Sequence, residues 1–86
     1  MYKLGVSNRA LKELEKLDNA AYLRISDKIN ALENNPRPIG SIKLTDLEGY
    51  RIKQGDYRIL YKINDNKKEI VVYKISHRKD IYKKKE

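Results

Sequence analysis

From Tyr50 onward the hydropathy of this chain repeats every second residue, and that period restricts the possible folds more than any other feature. Successive side chains of an extended strand point to opposite faces. Tyr50 and Ile52 therefore oppose Arg51 and Lys53, and Tyr57, Ile59, Tyr61 and Ile63 oppose Arg58, Leu60 and Lys62. Gln54-Gly55-Asp56 and Asn64-Asp65-Asn66-Lys67 supply turn residues between runs, and a third run covers Glu69 to Ser76. There strict alternation sets Val71, Tyr73 and Ile75 against Val72 and Lys74. The pattern predicts an antiparallel meander with one apolar face.

Upstream the period is helical. After a short alternating strand, Tyr2 to Val6, either Ser7 or Asn8 is placed to cap a helix whose apolar stripe is Ala10, Leu11, Leu14 and Leu17. Asp18-Asn19 interrupts it and caps a second stripe of Ala21, Tyr22, Ile25, Ile29 and Leu32. Asn34-Asn35-Pro36-Arg37-Pro38 ends that helix, because proline lacks a donor and restricts its predecessor. The short link makes the helices an antiparallel hairpin. Residues 39–48 read as a loop or a weak edge segment. The expected fold is α+β, ordered β-α-α-β-β-β, with the hairpin on one face of an antiparallel sheet and a short helical turn after His77. One domain over residues 1–86 accounts for the whole pattern.

The 86 residues lack Phe and Trp, so seven tyrosines carry the aromatic bulk, and several must be buried with the hydroxyl bonded. With no cysteine and one histidine, disulfides and a structural zinc site are excluded; no cofactor or metal is expected. The N-terminal residues lack the apolar run of a signal peptide and no segment has membrane-spanning length, so a cytoplasmic protein without a membrane partner is expected.

The net charge of +8 favours a polyanionic partner. Its distribution is more informative. The face opposite the apolar one gathers Arg51, Lys53, Arg58, Lys62 and Lys74, with no carboxylate at the alternating positions. A solvated sheet face ordinarily mixes signs, since like charges opposite each other weaken strand pairing. His77, Arg78 and Tyr82 follow the last strand, where they are expected to fold back over this basic face. RNA carries its own nucleophile, the 2′-OH. Cleavage requires a base, an acid and cations for the transition state. Histidine is the natural acid or base, and a lysine crowded by other cations is a second candidate. A tyrosine can stack on a nucleobase. Scattered glycines exclude a phosphate loop, and no clustered acids suit a two-metal nuclease.

The strings Gly49-Tyr50-Arg51-Ile52-Lys53, Gly55-Asp56-Tyr57-Arg58-Ile59-Leu60-Tyr61 and His77-Arg78-Lys79-Asp80-Ile81-Tyr82, with Lys43-Leu44 and the Arg-Ala-Leu-Lys-Glu-Leu start of the first helix, resemble the toxins of RelE/ParE-type toxin–antitoxin modules, in particular the RelE branch of mRNA interferases. The resemblance covers essentially the whole chain. It implies metal-independent cleavage of mRNA in the ribosomal A site, leaving a 2′,3′-cyclic or 3′-phosphate and a 5′-OH. It also implies a cognate antitoxin that blocks the site. By the same resemblance Arg51 contacts phosphate, Lys53 is catalytic or charge-stabilising, Arg58 meets the transition state and Tyr82 orients the substrate nucleotide. His77 and Arg78 fall where members use either histidine or arginine as the acid. Lys62 and Lys74 are further RNA-binding candidates from the basic face. Two rival readings stand beside this one: a ParE-like inhibitor of DNA gyrase, and a non-catalytic nucleic-acid-binding domain using the same face.

Overall fold

The computed structural model describes residues 1–80. The chain runs β1 (Lys3–Val6), α1 (Asn8–Glu15), α2 (Asn19–Ala31), β2 (Ile42–Lys43), β3 (Tyr50–Gln54), β4 (Tyr57–Asn64) and β5 (Glu69–His77). The five strands form one sheet in the order β1-β5-β4-β3-β2. The last four are antiparallel neighbours, as the turn residues require, while β1 lies parallel to β5 at the edge. The weak edge segment in residues 39–48 forms β2, two residues paired with Tyr50 and Arg51. The helical turn expected near Tyr82 lies outside the described residues. Among the described residues, no helix is long and apolar enough to cross a membrane.

Both helix starts follow from the sequence. The Ser7 hydroxyl accepts the Ala10 N–H at 3.1 Å, and the Asp18 carboxylate accepts that of Ala21 at 2.9 Å. Each satisfies one of the amides that a helix leaves unpaired. The helices bury Ala10, Leu14, Ile25 and Ile29, with Leu32 just beyond, against Ile52, Ile59, Tyr61, Ile70, Val72 and Ile75 of the sheet. The expected stripes were too wide: Leu11 and Tyr22 stay 43% and 39% exposed, at the rim rather than in the core.

Strict alternation fails in β5. Tyr61 pairs with Val72 but Leu60 pairs with Lys74, so Tyr73 is an extra residue in a bulge. The bulge lets Val72 and Ile75 both enter the core and turns Val71 outward, 42% exposed. Val72 and Val71 thus exchange the faces expected from sequence, while Lys74 keeps its own. Past the end of β1 the rim of β5 is closed by α1. The Ser7 amide donates to the Val72 carbonyl at 2.9 Å, and the Ile75 amide donates to Glu13 Oε1 at 2.7 Å.

Candidate nucleic-acid interface

The register fixes what shares the face away from the helices. Lys53 lies opposite Arg58, which lies opposite Ser76; Arg51 lies opposite Leu60, which lies opposite Lys74. Four cations from three adjacent strands therefore occupy two neighbouring rows, a patch roughly 10 Å across at ordinary strand spacing. Lys53 is exposed, and Arg51, Arg58 and Lys74 are half-buried. Among the described residues neither Lys53 nor Lys74 has a carboxylate within ion-pairing distance. Lys53 directly opposite Arg58 weakens strand pairing. A surface serving only solubility gains nothing from that arrangement.

Leu60 is the floor of this patch. It is 1% exposed yet stands apart from the cluster beneath the helices, flanked in the neighbouring strands by Arg51 and Lys74. Arg58 is anchored: Nη1 donates to the Gly55 carbonyl at 3.2 Å and the Tyr57 carbonyl at 3.1 Å. A guanidinium has five N–H donors, and these two bonds use only Nη1, leaving the donors of Nε and Nη2 outside them. Arg78 grips the same turn. Its amide donates to the Asp56 carbonyl at 2.7 Å, and its Nε lies 3.6 Å from the Asp56 carboxylate. The β3–β4 turn thus gathers two arginines that are twenty residues apart in sequence.

Of the other expected residues, Lys62 takes the expected face but is charge-paired there, and His77 does not. Lys62 does share the open face, but Glu48 pairs with it at 3.2 Å and its Nζ stands 5.4 Å from the centre of the Tyr73 ring. The Tyr73 hydroxyl donates to the Glu48 carbonyl at 2.8 Å. Burial pushes that phenol above its ordinary value, and Lys62 partly opposes the shift. Glu48, in the connection between β2 and β3, thereby reaches over to β4 and β5 and leaves Lys62 charge-paired, unlike Lys53 and Lys74. Gly49 permits this approach: its φ is 102°, and a Cβ there would collide with the Tyr61 carbonyl oxygen. The alternation could not reveal Glu48, because it belongs to the connecting loop and not to a strand.

His77 is the second. It ends β5 opposite Tyr57, whose ring it meets edge-on at 5.5 Å. Tyr57 packs against the core, so His77 stands on the helix side of the sheet, across from Lys53 and Arg58. Its Nδ1 accepts the Lys79 amide at 3.1 Å, which puts the proton of the neutral ring on Nε2. The expectation that His77 joins the basic face is corrected by this pairing. Tyr82 lies outside the described residues. Ser76, opposite Arg58, was not expected; the pairing register was the signal that could have found it. Among the described residues no three His, Cys, Asp or Glu side chains gather in positions to hold a metal ion.

The profile of a family described as the ParE toxin of type II toxin–antitoxin system, parDE, matches residues 4–82. The chain belongs to the RelE/ParE superfamily of toxins. Among curated relatives it is similar to the putative toxin RelE1 of Methanocaldococcus jannaschii, 28% identical over 86 residues, covering 95% of this chain and 96% of that one. It is 29% identical to toxin RelE of Mycobacterium tuberculosis over 84 residues, covering 95% and 87%. Among solved structures, this RelE/ParE chain superposes on one from the archaeal RelE–RelB complex of Pyrococcus horikoshii. That match has a TM-score of 0.80 and 30% identity over 92% of this chain and 97% of the other. A chain of the intact E. coli RelBE complex matches with a TM-score of 0.77 and 29% identity, covering 90% and 96%.

Proposed function

We propose that this type II toxin is an endoribonuclease that cleaves mRNA in the ribosomal A site, and that the patch of Arg51, Lys53, Arg58 and Lys74 is its active surface. The observation that carries the reading is the concentration of four cations, from three strands, on a face the helices leave open. The RelE names of the curated relatives support it.

In this scheme Lys53 takes the proton of the 2′-OH as O2′ attacks the adjacent phosphorus. Arg58, held by the turn, meets the charge that builds on the phosphoryl oxygens. The P–O5′ bond breaks as O5′ takes a proton from water, and the hydroxide so formed recovers the proton held by Lys53, leaving a 2′,3′-cyclic phosphate and a 5′-OH. Arg51 and Lys74 hold flanking phosphates, and Arg78 adds charge beside the turn. Cationic side chains supply the stabilisation, so no metal is assigned a step. His77, on the Tyr57 side, takes no proton in this scheme. Tyr82 keeps the substrate-orienting role that the resemblance implies. Structures of relatives contain RelE with RelB, and a cognate antitoxin that neutralises the basic patch is the expected partner here, alongside the ribosome and mRNA.

The test is cleavage of mRNA on programmed ribosomes, with ends mapped by primer extension. Cutting that leaves 5′-OH ends, and that stops when the scissile nucleotide is 2′-deoxy, supports the scheme. Cutting that survives the 2′-deoxy change refutes it. The ParE description of the matching family favours a second reading, inhibition of DNA gyrase. A protein that leaves ribosome-bound mRNA intact but arrests gyrase supercoiling would establish that reading instead.

A further inference from the structure

The β3–β4 turn has a second side. Away from Arg58, between this turn and the start of α2, lies an open groove of about 480 Å³. Ala21, Arg24 and Ile25 line it from the helix and Gln54, Gly55 and Tyr57 from the β3–β4 hairpin, with Asp18 and Asp56 also in the lining. Gly55 belongs to both regions: it lines the groove, and its carbonyl accepts Arg58 Nη1 at 3.2 Å. One peptide layer therefore separates the groove from the arginine assigned to the reacting phosphate.

The chemistry of the two sides differs as the two halves of a nucleotide do. The open face offers cations over an apolar floor and suits phosphate. The groove has one cation, Arg24, beside two carboxylates, Asp18 capping α2 and Asp56 paired with Arg78, so it lacks the clustered cations that a phosphate needs. It offers the aromatic surface of Tyr57, braced edge-on by His77, and the apolar side of Ile25. A carboxylate only accepts hydrogen bonds, so the second oxygens of Asp18 and Asp56 add acceptors, while the Gln54 amide adds one acceptor and one donor group. A flat, neutral ligand with N–H donors at its edge fits that set.

We propose that this groove holds a nucleobase of the RNA strand whose phosphate lies on Arg58, and that it selects bases bearing an exocyclic amino group. The inference rests on the ribonuclease reading and deepens it. Because Gly55 borders both regions, a nucleotide bent round the β3–β4 turn would set its phosphate on the guanidinium side and its base in the groove. Uracil presents a carbonyl where cytosine presents an amino group, so it leaves an acceptor of the groove unpaired, the kind of mismatch a polar site rejects.

The experiment uses full-length toxin and a set of mRNAs on programmed ribosomes, with each of the four bases in turn at the positions flanking the cut. Wild type is expected to cut messages with adenine, cytosine or guanine at one of these positions at least about tenfold faster than those with uracil. Ala21→Leu, which fills the groove, and Gln54→Leu, which removes an acceptor, are expected to reduce that ratio to about twofold while the uracil message is still cut. Thermal melting followed by circular dichroism establishes that each variant is folded, and either variant alone suffices. Three results overturn the inference: no base preference in wild type, a preference unchanged in both folded variants, or unchanged preference with loss of antitoxin binding, which would assign the groove to a protein partner. A wild-type protein that cuts no message refutes the ribonuclease reading itself, a distinct failure from one confined to the groove.

Discussion

The two ends of the sheet handle charge in opposite ways. At the end where β4 turns into β5, Arg37 donates to the Asp65 carboxylate at 2.9 Å and to the Tyr50 hydroxyl at 3.0 Å, and Tyr2 donates to the same carboxylate at 2.7 Å. Tyr61, buried beneath, donates to the Pro36 carbonyl at 2.7 Å and stacks on Tyr50 at 6.0 Å. These five side chains each close on another segment of the chain, from the residue before β1, the loop after α2, β3, β4 and the β4–β5 turn. At the end where β3 turns into β4, Arg78 pairs with Asp56, but Lys53 and Arg58 face each other and, among the described residues, neither has a carboxylate within ion-pairing distance. Cations that the fold pairs internally serve the fold. Cations stacked against their own kind wait for something outside it.

The sharpest way to break this contrast is to remove both members of the like-charged pair. Lys53→Ala with Arg58→Ala is expected to lower single-turnover cleavage by about 10³-fold or more, since loss of even one transition-state donor commonly costs 10²–10³. The melting temperature should hold or rise, because repulsion is relieved. A large drop in melting temperature would assign these residues to the fold instead. The converse variant, Arg37→Ala, is expected to lower thermal stability while leaving cleavage within about twofold.

Binding should register the same division through salt. Neutralising four phosphates of single-stranded RNA predicts a slope of log affinity against log salt of roughly −3, and Lys74→Ala should make it shallower by about 0.7. Lys62→Ala, behind the Glu48 contact, should leave the slope unchanged.

The paired end has its own pH signature. Burial pushes the Tyr61 phenol up to about 12. The folded state favours the neutral form, so this contribution is intact below the ordinary value of 10.0 and lost as pH rises from there toward about 12. Tyr61→Phe should flatten alkaline denaturation over that window. The substitution also removes a hydrogen bond, at about 0.5–1.5 kcal/mol by urea titration. Arg37, followed by Tyr2, holds the Asp65 carboxyl below its ordinary 3.8, so that stabilisation is present above 3.8 and fades as acid protonates the folded protein. A small effect is also expected at His77. His77→Gln should change single-turnover cleavage by less than about threefold, and a flattened pH–rate profile would return the histidine to the reaction.

Much of the fold was legible because local chemistry sufficed for it. Ser7 and Asp18 each had a helix to cap, Pro36 and Pro38 ended one, and the alternation of β3 and β4 placed Arg51, Lys53 and Arg58 on one face. What escaped depended on contacts remote in sequence. The bulge at Tyr73 is invisible to a period of two, which is why Val71 and Val72 changed places. β1 reaches β5 across more than sixty residues, and nothing in Lys3–Val6 itself encodes a parallel partner. Glu48 lies in a loop whose direction only Gly49 hints at. His77 was misplaced for a simpler reason: treating the strand as finished at Ser76 removed it from the alternation that would have paired it with Tyr57.

Leu60 changes what the surrounding cations are worth. Side chains standing on a dry hydrocarbon base are hydrated from above only, and little of their field is absorbed beneath them. An anion approaching the open face therefore meets the charge of Arg51 and Lys74 over a base that screens little of it. Exchanging this leucine for a wettable residue such as threonine would dim the attraction without touching a single charge.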